Sequence, residues 1–182
     1  MFILCVIGKI GSGKDEVAKY LAKRHGFFHI DLGDITRDIT REYNRTPTRE
    51  NLQLSQKEYR EAHGRHSLAE RAVKKIKEQG SEHIVVSALR IPEDAEVIKH
   101  AFGDTCLFVE VVADRAVRLT RLKARKSDRD PTTEAEFIEH ERTEEEHFPS
   151  EAMKPFIQKT ISNNGTLEEL HKIVDRLLRD IL

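Results

Sequence analysis

The sequence predicts an α/β fold in three layers, with helices covering both faces of a central five-stranded parallel sheet. Five short apolar segments alternate along the chain with segments of helical periodicity, which is the pattern of strands joined by crossover helices. The apolar segments are mostly continuous rather than alternating, as in strands that are buried on both faces. The 182 residues show no break in composition, so we expect one domain over residues 1–182.

The amino-terminal half predicts two strands and several helices. FILCVI is the first strand, KDEVAKYLAKRHG has helical spacing and ends at a glycine, and FFHIDLGD is the second strand. The polar stretch over residues 35–80 is predicted to be helical in pieces, with breaks at Pro47 and Gly64. Its last helix is predicted to have a capping box made by Ser67 and Glu70.

The carboxyl-terminal half predicts three further strands, HIVVSAL, TCLFVEVVA and FIQKTIS. IPEDAEVIKHAFG predicts a helix with Pro92 in its first turn and Gly103 beyond its end. DRAVRLTRLKARK predicts a basic helix, TEAEFIEHERTEEEHF an acidic helix, and LEELHKIVDRLL a closing amphipathic helix.

The bulk composition argues against several classes of partner. A formal net charge of -1 gives no general attraction to nucleic acid polymers, so any anion site must come from local clustering. No apolar run approaches the roughly 20 residues that a membrane span needs. Cys5 and Cys106 lie in apolar strands and are expected to be buried thiols. We therefore expect a cytoplasmic protein, and the sequence leaves the oligomeric state open.

A glycine-rich loop follows the first predicted strand directly. Residues 8–14 read GKIGSGK, which places Gly8, Gly13 and Lys14 at the spacing of a phosphate-binding loop, or P-loop. Glycines let backbone amides close on a phosphate, the helix that follows directs its positive end at the same anion, and Lys14 adds a charge. The strand, loop and helix together predict nucleotide binding on a P-loop NTPase fold.

Asp15 stands where this motif has serine or threonine. A carboxylate can bind Mg²⁺, since hard cations prefer oxygen, but it would repel a triphosphate unless the metal lay between them. Asp15 is therefore our candidate metal ligand, and we expect ATP binding to depend strongly on Mg²⁺. The alternative is that Asp15 faces solvent as an ordinary negative charge in the first helical turn.

At this point the sequence resembles the nucleoside monophosphate kinases. GSGKDEVAKYL followed by HIDLGDITRDI is similar to their opening, in which the second strand ends in Gly-Asp and an arginine follows. The resemblance implies that Asp34 and Arg37 bind the acceptor, together with Arg90, which follows the third strand. One departure is Ser87, which stands where that strand often ends in aspartate.

The resemblance continues into a short lid over residues 121–147 and a final turn near the donor base. It implies that Lys14, Arg125, Arg129 and Arg142 are catalytic, closing over the transferring phosphate and excluding water. The turn in ISNNGTLEEL is similar to that of adenylate and dephospho-coenzyme A kinases. The implied ATP contacts are Gly8, Lys9, Ile10, Gly11, Ser12, Gly13, Lys14, Asp15, Glu16, Arg121, Asn164 and Gly165.

Together these features predict a small kinase that moves the γ-phosphate of ATP to the phosphate of a nucleoside or deoxynucleoside monophosphate. Residues 35–80 would then bind the acceptor, and a phosphate acceptor needs no general base. One alternative is dephospho-coenzyme A kinase, whose ribose hydroxyl acceptor needs an acidic base such as Asp31 or Asp34. A second alternative is an ATPase that makes no phosphorylated product.

Overall fold

The computed structural model describes residues 1–125 and 130–182, and within them it has five strands, nine α-helices and two short 3₁₀ turns. The strands are β1 Phe2–Ile7, β2 Phe28–Asp31, β3 His83–Ser87, β4 Cys106–Val112 and β5 Lys159–Ser162. The helices are α1 Lys14–His25, α2 Leu32–Glu42, α3 Arg49–His63, α4 Ser67–Gln79, α5 Pro92–Phe102, α6 Arg115–Arg125, α7 Glu134–His147, α8 Ser150–Met153 and α9 Leu167–Ile181.

All five strands are parallel, in the order β2-β3-β1-β4-β5. β1 lies at the centre, where Leu4 is paired in register with Val85 of β3 and Leu107 of β4. In a parallel sheet the carboxyl ends of the strands share one edge, and a ligand crevice opens there. The loop after β1 therefore lies at the middle of that edge, between the loops that follow β3 and β4.

The side chains of β1 alternate between two apolar cores. Ile3 and Cys5 pack with α2, α4 and α5, whereas Leu4 and Val6 pack with α1 and α9. The predicted three-layer fold is thus confirmed. Cys5 and Cys106 are both buried in the first core, with their Sγ atoms 3.5 Å apart, and burial raises the pKa of the Cys5 thiol.

Two local predictions are wrong. Ser67 is the first residue of α4 and not its cap. Its hydroxyl is buried and has no hydrogen-bond partner in the described part of the chain, and the Glu70 carboxylate lies 3.4 Å from His66 instead. Gly33 and Asp34 do not end a strand either. β2 stops at Asp31, because its carboxylate accepts a hydrogen bond from the Asp34 amide and caps α2.

Candidate active site

The glycine loop lies between β1 and α1 in a conformation that requires glycine. Gly11 and Gly13 have φ angles of 77° and 99°, in the left-handed region. A Cβ on Gly11 would lie 3.0 Å from the backbone oxygen of Arg118, and one on Gly13 would overlap the side-chain amide of Asn163. The loop is therefore packed tightly against α6 on one side and the β5–α9 turn on the other.

The loop presents groups that can bind an anion. Gly13 is the amino-terminal cap of α1, and the first amides of a helix have no partner within the helix. The Ser12 hydroxyl is buried and has no hydrogen-bond partner among the residues that the structure describes. These donors at the positive end of a helix fit a phosphate group.

The ammonium group of Lys14 is largely withdrawn from water, with its side chain 14% exposed. Burial lowers the pKa of Lys14 below its usual value, and the positive charge of Arg90 lowers it further, while Asp15, Glu144 and Asp31 act in the opposite direction. An anionic ligand would compensate the desolvated charge, so Lys14 fits the role of a phosphate contact.

Asp15 is half exposed and its Oδ1 lies 3.9 Å from the Lys14 Nζ atom. Mg²⁺ in phosphate sites takes one or two carboxylates, phosphate oxygens and several waters, so an accessible carboxylate beside the loop fits that ion. Glu16 points elsewhere, accepting a hydrogen bond from Lys19. No group of three or more metal-binding side chains is present within residues 1–125 and 130–182.

A hydrogen-bonded chain of side chains crosses the carboxyl ends of β2 and β3. The Ser87 hydroxyl donates to the Asp31 carboxylate at 2.8 Å, and the Nε2 atom of His29 lies 2.8 Å from the same hydroxyl. Asp31 also acts electrostatically on Lys14. The strand β3 thus ends in serine, but a carboxylate from β2 lies beside that serine.

The three residues predicted to bind an acceptor lie on this same edge. Asp34 and Arg37 form an ion pair of 2.8 Å within α2, which leaves the Arg37 guanidinium next to Gly33. Arg90 lies two residues after Ala88, whose φ of 61° is unusual for a residue other than glycine. The Nη1 atom of Arg90 lies 3.3 Å from the Glu144 carboxylate.

The turn between β5 and α9 is fastened to the loop and to α6. The Asn163 side chain donates to the Ser12 carbonyl at 2.7 Å. Arg121, a predicted ATP contact, donates to the carbonyls of Asn163 and Gly165 at 2.8 and 2.9 Å. Asn164 accepts from the Asp114 amide. Arg121, Asn164 and Gly165 are thus brought together at one side of the loop.

The predicted lid arginines occupy different settings. Arg125 forms a bidentate ion pair with the carboxylate of Asp130, and this pair raises the pKa of Arg125. Arg142 lies on the exposed face of α7, between Glu139 and Glu146. Arg129 lies outside the described residues.

One face of α7 is acidic and meets the cations of the loop region. Glu145 pairs with Lys9 at 3.2 Å, and Glu144 pairs with Arg90 and acts on Lys14. A row of acidic residues on a helix is typical of a solvated face, so the sequence alone indicates no role for Glu144 and Glu145. Asn163 and the buried Arg118 carry no sequence signal either, because their contacts with the glycine loop join residues that are distant in sequence.

Comparisons with known proteins place the chain among P-loop proteins. Residues 4–148 match the AAA domain family. The UPF0200 protein of Thermococcus kodakarensis is 31% identical over 99% of this chain and 98% of its own length. A UPF0200/UPF0201 protein of Archaeoglobus fulgidus is also 31% identical, and there the match spans 55% of that longer protein.

Solved structures share the fold at low sequence identity. TT1252 from Thermus thermophilus superposes with a TM-score of 0.67 at 19% identity, over 100% of this chain and 98% of that one. Shikimate kinase from Acinetobacter baumannii, solved with shikimate, superposes with a TM-score of 0.58 at 19% identity, over 100% of this chain and 96% of that one. The chain has the P-loop kinase-like fold. No described helix is long and apolar enough to cross a membrane.

Proposed function

The chain belongs to the AAA domain family and to the UPF0200 family, and from that premise we propose that it is an ATP-dependent small-molecule kinase. Its proposed acceptor is the phosphate of a nucleoside or deoxynucleoside monophosphate. The observation that carries the proposal is the desolvated ammonium of Lys14, held at the first turn of α1 with Arg90 close enough to repel it. Two cations at one edge of the sheet suit a pair of phosphates.

In the proposed reaction the bond between the γ-phosphorus and its bridging oxygen breaks, and a bond forms to an oxygen of the acceptor phosphate. Such a transfer needs alignment and charge neutralisation more than covalent help. The loop amides and Lys14 hold the donor, whereas Arg37 and Arg90 hold the acceptor. Bound Mg²⁺, with Asp15 as its proposed ligand, would neutralise the β- and γ-oxygens.

Arginines would then cover the transferring group and exclude water, as their forked donors bind phosphate oxygens in pairs. Arg125, Arg129 and Arg142 are proposed for this part. Arg121, with Asn164 and Gly165, is proposed to lie near the base of ATP. Residues 35–80 are proposed to enclose the acceptor within a single domain.

One observation favours a second function, phosphorylation of a hydroxyl group, as in dephospho-coenzyme A kinase. Asp31 lies at the end of β2, is oriented by the Ser87 hydroxyl and is near Lys14, so it could accept a proton from a hydroxyl acceptor. The Asp34 carboxylate is less available for this purpose, because it is engaged in an ion pair with the Arg37 guanidinium. An ATPase without a phosphorylated product is the third possibility.

A panel of acceptors separates these functions. The protein is mixed with ATP and Mg²⁺ and with ribo- or deoxyribonucleoside monophosphates or dephospho-coenzyme A, and the products are identified by mass. We expect a nucleoside diphosphate from one monophosphate. A phosphorylated coenzyme would favour the second function, and the Asp31→Asn variant should then abolish it. Loss of ATP with no phosphorylated acceptor would contradict both kinase proposals.

The role of Arg90 is tested by kinetics on the acceptor identified in this way. We expect Arg90→Met to raise the acceptor KM about 30-fold or more, because a charge-assisted hydrogen bond to phosphate contributes on the order of 2 kcal/mol. The KM for ATP should change by less than about threefold. Equal increases in both constants would show that Arg90 does not act on the acceptor.

A further inference from the structure

Arg118 of α6 is a buried cation beside the glycine loop. Its side chain is 8% exposed, and its guanidinium donates hydrogen bonds to three acceptors from three parts of the chain. The first acceptor is the carbonyl of Ala113, just after β4, at 3.1 Å. The second is the carbonyl of Ile10 in the glycine loop, at 3.2 Å, and the third is the Glu141 carboxylate on α7. A buried charge is tolerated when it is paired and hydrogen-bonded in this way.

The contact with Ile10 orients a particular peptide group of the loop. In a trans peptide the carbonyl oxygen and the next amide point in opposite directions, and the described residues contain no cis peptide. While Arg118 holds the Ile10 carbonyl, the Gly11 amide must therefore point away from Arg118. A Cβ on Gly11 would lie 3.0 Å from the Arg118 backbone oxygen, so the glycine next to this peptide lies against α6 at the same residue whose side chain holds the Ile10 carbonyl.

The guanidinium is itself held by α7. The ring of Phe137, which is fully buried, lies with its centroid 5.3 Å from the Arg118 Cζ atom. Glu141 accepts from Arg118 and, through its other oxygen, pairs with Arg115 at 2.8 Å. Arg115 is 53% exposed, and none of its described contacts is with the loop. The two arginines thus share one carboxylate, but only Arg118 reaches the loop.

We propose that Arg118 is a positioning residue that fixes the phosphate-binding loop by holding the Ile10 carbonyl, so that the Gly11 amide is oriented for a phosphate of ATP. The inference rests on the proposed function, because it requires the loop to bind nucleotide. α7 contributes through Phe137 and Glu141, which hold the guanidinium. The position of α7 and the shape of the loop are therefore linked through one side chain.

Arg118→Met and Arg115→Met form a matched pair, because each removes one cation from Glu141 and leaves it the other. We expect Arg118→Met to weaken ATP binding in Mg²⁺ about tenfold or more, since displacement of a binding group by about an ångström can cost much more than that. Arg115→Met should change the affinity by less than about twofold, as an exposed ion pair contributes little. Titration calorimetry well below the thermal midpoint of each variant gives the affinities.

Amide exchange provides a measurement that general destabilisation would not reproduce. The peptide containing residues 8–13 should exchange faster in Arg118→Met than in Arg115→Met, while peptides from β1 and β3 exchange alike in both. If Arg118→Met does not fold, Arg118→Lys replaces it, and at least about a threefold loss of affinity is expected, since lysine lacks the planar fork. Equal ATP affinity and equal loop exchange in the matched pair would overturn the proposal.

Failure of the proposed function gives a different result. If the wild-type protein does not bind ATP at all, the kinase proposal and the role of Arg118 in ATP binding both fail. Faster loop exchange in Arg118→Met alone would then still show that Arg118 holds the loop. If the wild type binds ATP and the matched pair behaves alike, only the inference about Arg118 fails.

Discussion

Asp15 is the residue at which the glycine loop departs from the usual motif, and its half-exposed carboxylate lies beside Lys14. A carboxylate there should help ATP binding with Mg²⁺ and hinder it without the metal, because it would then face the triphosphate directly. Asp15→Asn should therefore weaken ATP binding about tenfold in Mg²⁺, about 1.4 kcal/mol, and leave it equal or tighter in a chelator.

Glu16→Gln is the control for this experiment, since Glu16 carries the same charge one position later but its carboxylate pairs with Lys19. The substitution keeps the backbone amide of this residue, which is the group through which it would contact ATP at the start of α1. The ATP affinity of Glu16→Gln should equal that of the wild type both in Mg²⁺ and in a chelator. If the ATP affinity of Asp15→Asn also equals that of the wild type in both conditions, Asp15 is an ordinary charge in the first helical turn.

The buried ammonium of Lys14 predicts that ATP binding depends on pH. Its pKa is lowered from the usual 10.5, so in the free protein it loses its proton at a lower pH than an exposed lysine. Because ATP needs the charged form, affinity should fall as the pH rises through the lowered pKa. The folded state also binds fewer protons than the unfolded state between the two pKa values, so this group makes stability rise with pH there.

Calorimetric titrations with ATP from about pH 7 to about pH 10 measure this effect, and Lys14→Arg is the comparison, since arginine stays charged over that range. The wild type should lose affinity across the range, and Lys14→Arg should lose little. Parallel curves for the two proteins would show that another group controls binding.

Among the elements, α7 brings carboxylates to the cations that are proposed to bind phosphates. Glu145 pairs with Lys9 of the loop, and Glu144 pairs with Arg90. A phosphate approaching these cations must compete with the carboxylates. Removing the charge of Glu145 should therefore tighten ATP binding, and Glu145→Gln is expected to lower the Kd about two- to fivefold, as the pair is partly exposed.

Glu134→Gln gives the same change of charge at the exposed first turn of α7 and should leave the Kd within about 1.5-fold of the wild type. If both variants tighten binding equally, the effect comes from net charge and not from the contact with Lys9. Unchanged binding in Glu145→Gln would show that phosphate and carboxylate do not compete.

The elements also show what a sequence can and cannot reveal. The five strands, the glycine loop and the break at Gly64 were predicted because their signals are local: apolar runs, glycine spacing and helix ends. The setting of Arg118 was not, because its partners Ile10 and Glu141 come together only when α6 and α7 pack beside the sheet. Likewise the carboxylate of Asp31 reaches Ser87 because β2 and β3 are neighbours in the sheet, which hydrophobic periodicity does not specify.

For the whole molecule, the question is whether residues 35–80 are part of one cooperative domain. Arg60 of α3 and Asp94 of α5 form an ion pair of 2.7 Å that joins this region to the rest of the fold, and the Asp94 side chain is 1% exposed. Close by, Arg65 pairs at 2.6 Å with Glu93, but Arg65 is 74% exposed. The two pairs join the same regions and differ mainly in burial.

Arg60→Met leaves the buried Asp94 carboxylate without its counter-ion and should lower the free energy of unfolding by about 3 kcal/mol at neutral pH. Arg65→Met should lower it by less than about 1 kcal/mol. Burial raises the pKa of Asp94 and Arg60 opposes that rise, so removing Arg60 should raise the pKa further. The folded variant then binds a proton that the unfolded chain does not, so the loss of stability in Arg60→Met should shrink as the pH falls from about 8 to about 5.

Urea unfolding followed by circular dichroism, with amide exchange of β1 as a second probe, measures both effects. A single domain requires the midpoints from the two probes to fall together, because α3 and the central strand would then unfold in one transition. If only α3 is lost while β1 stays protected, residues 35–80 form a separately unfolding unit and the single-domain prediction is wrong.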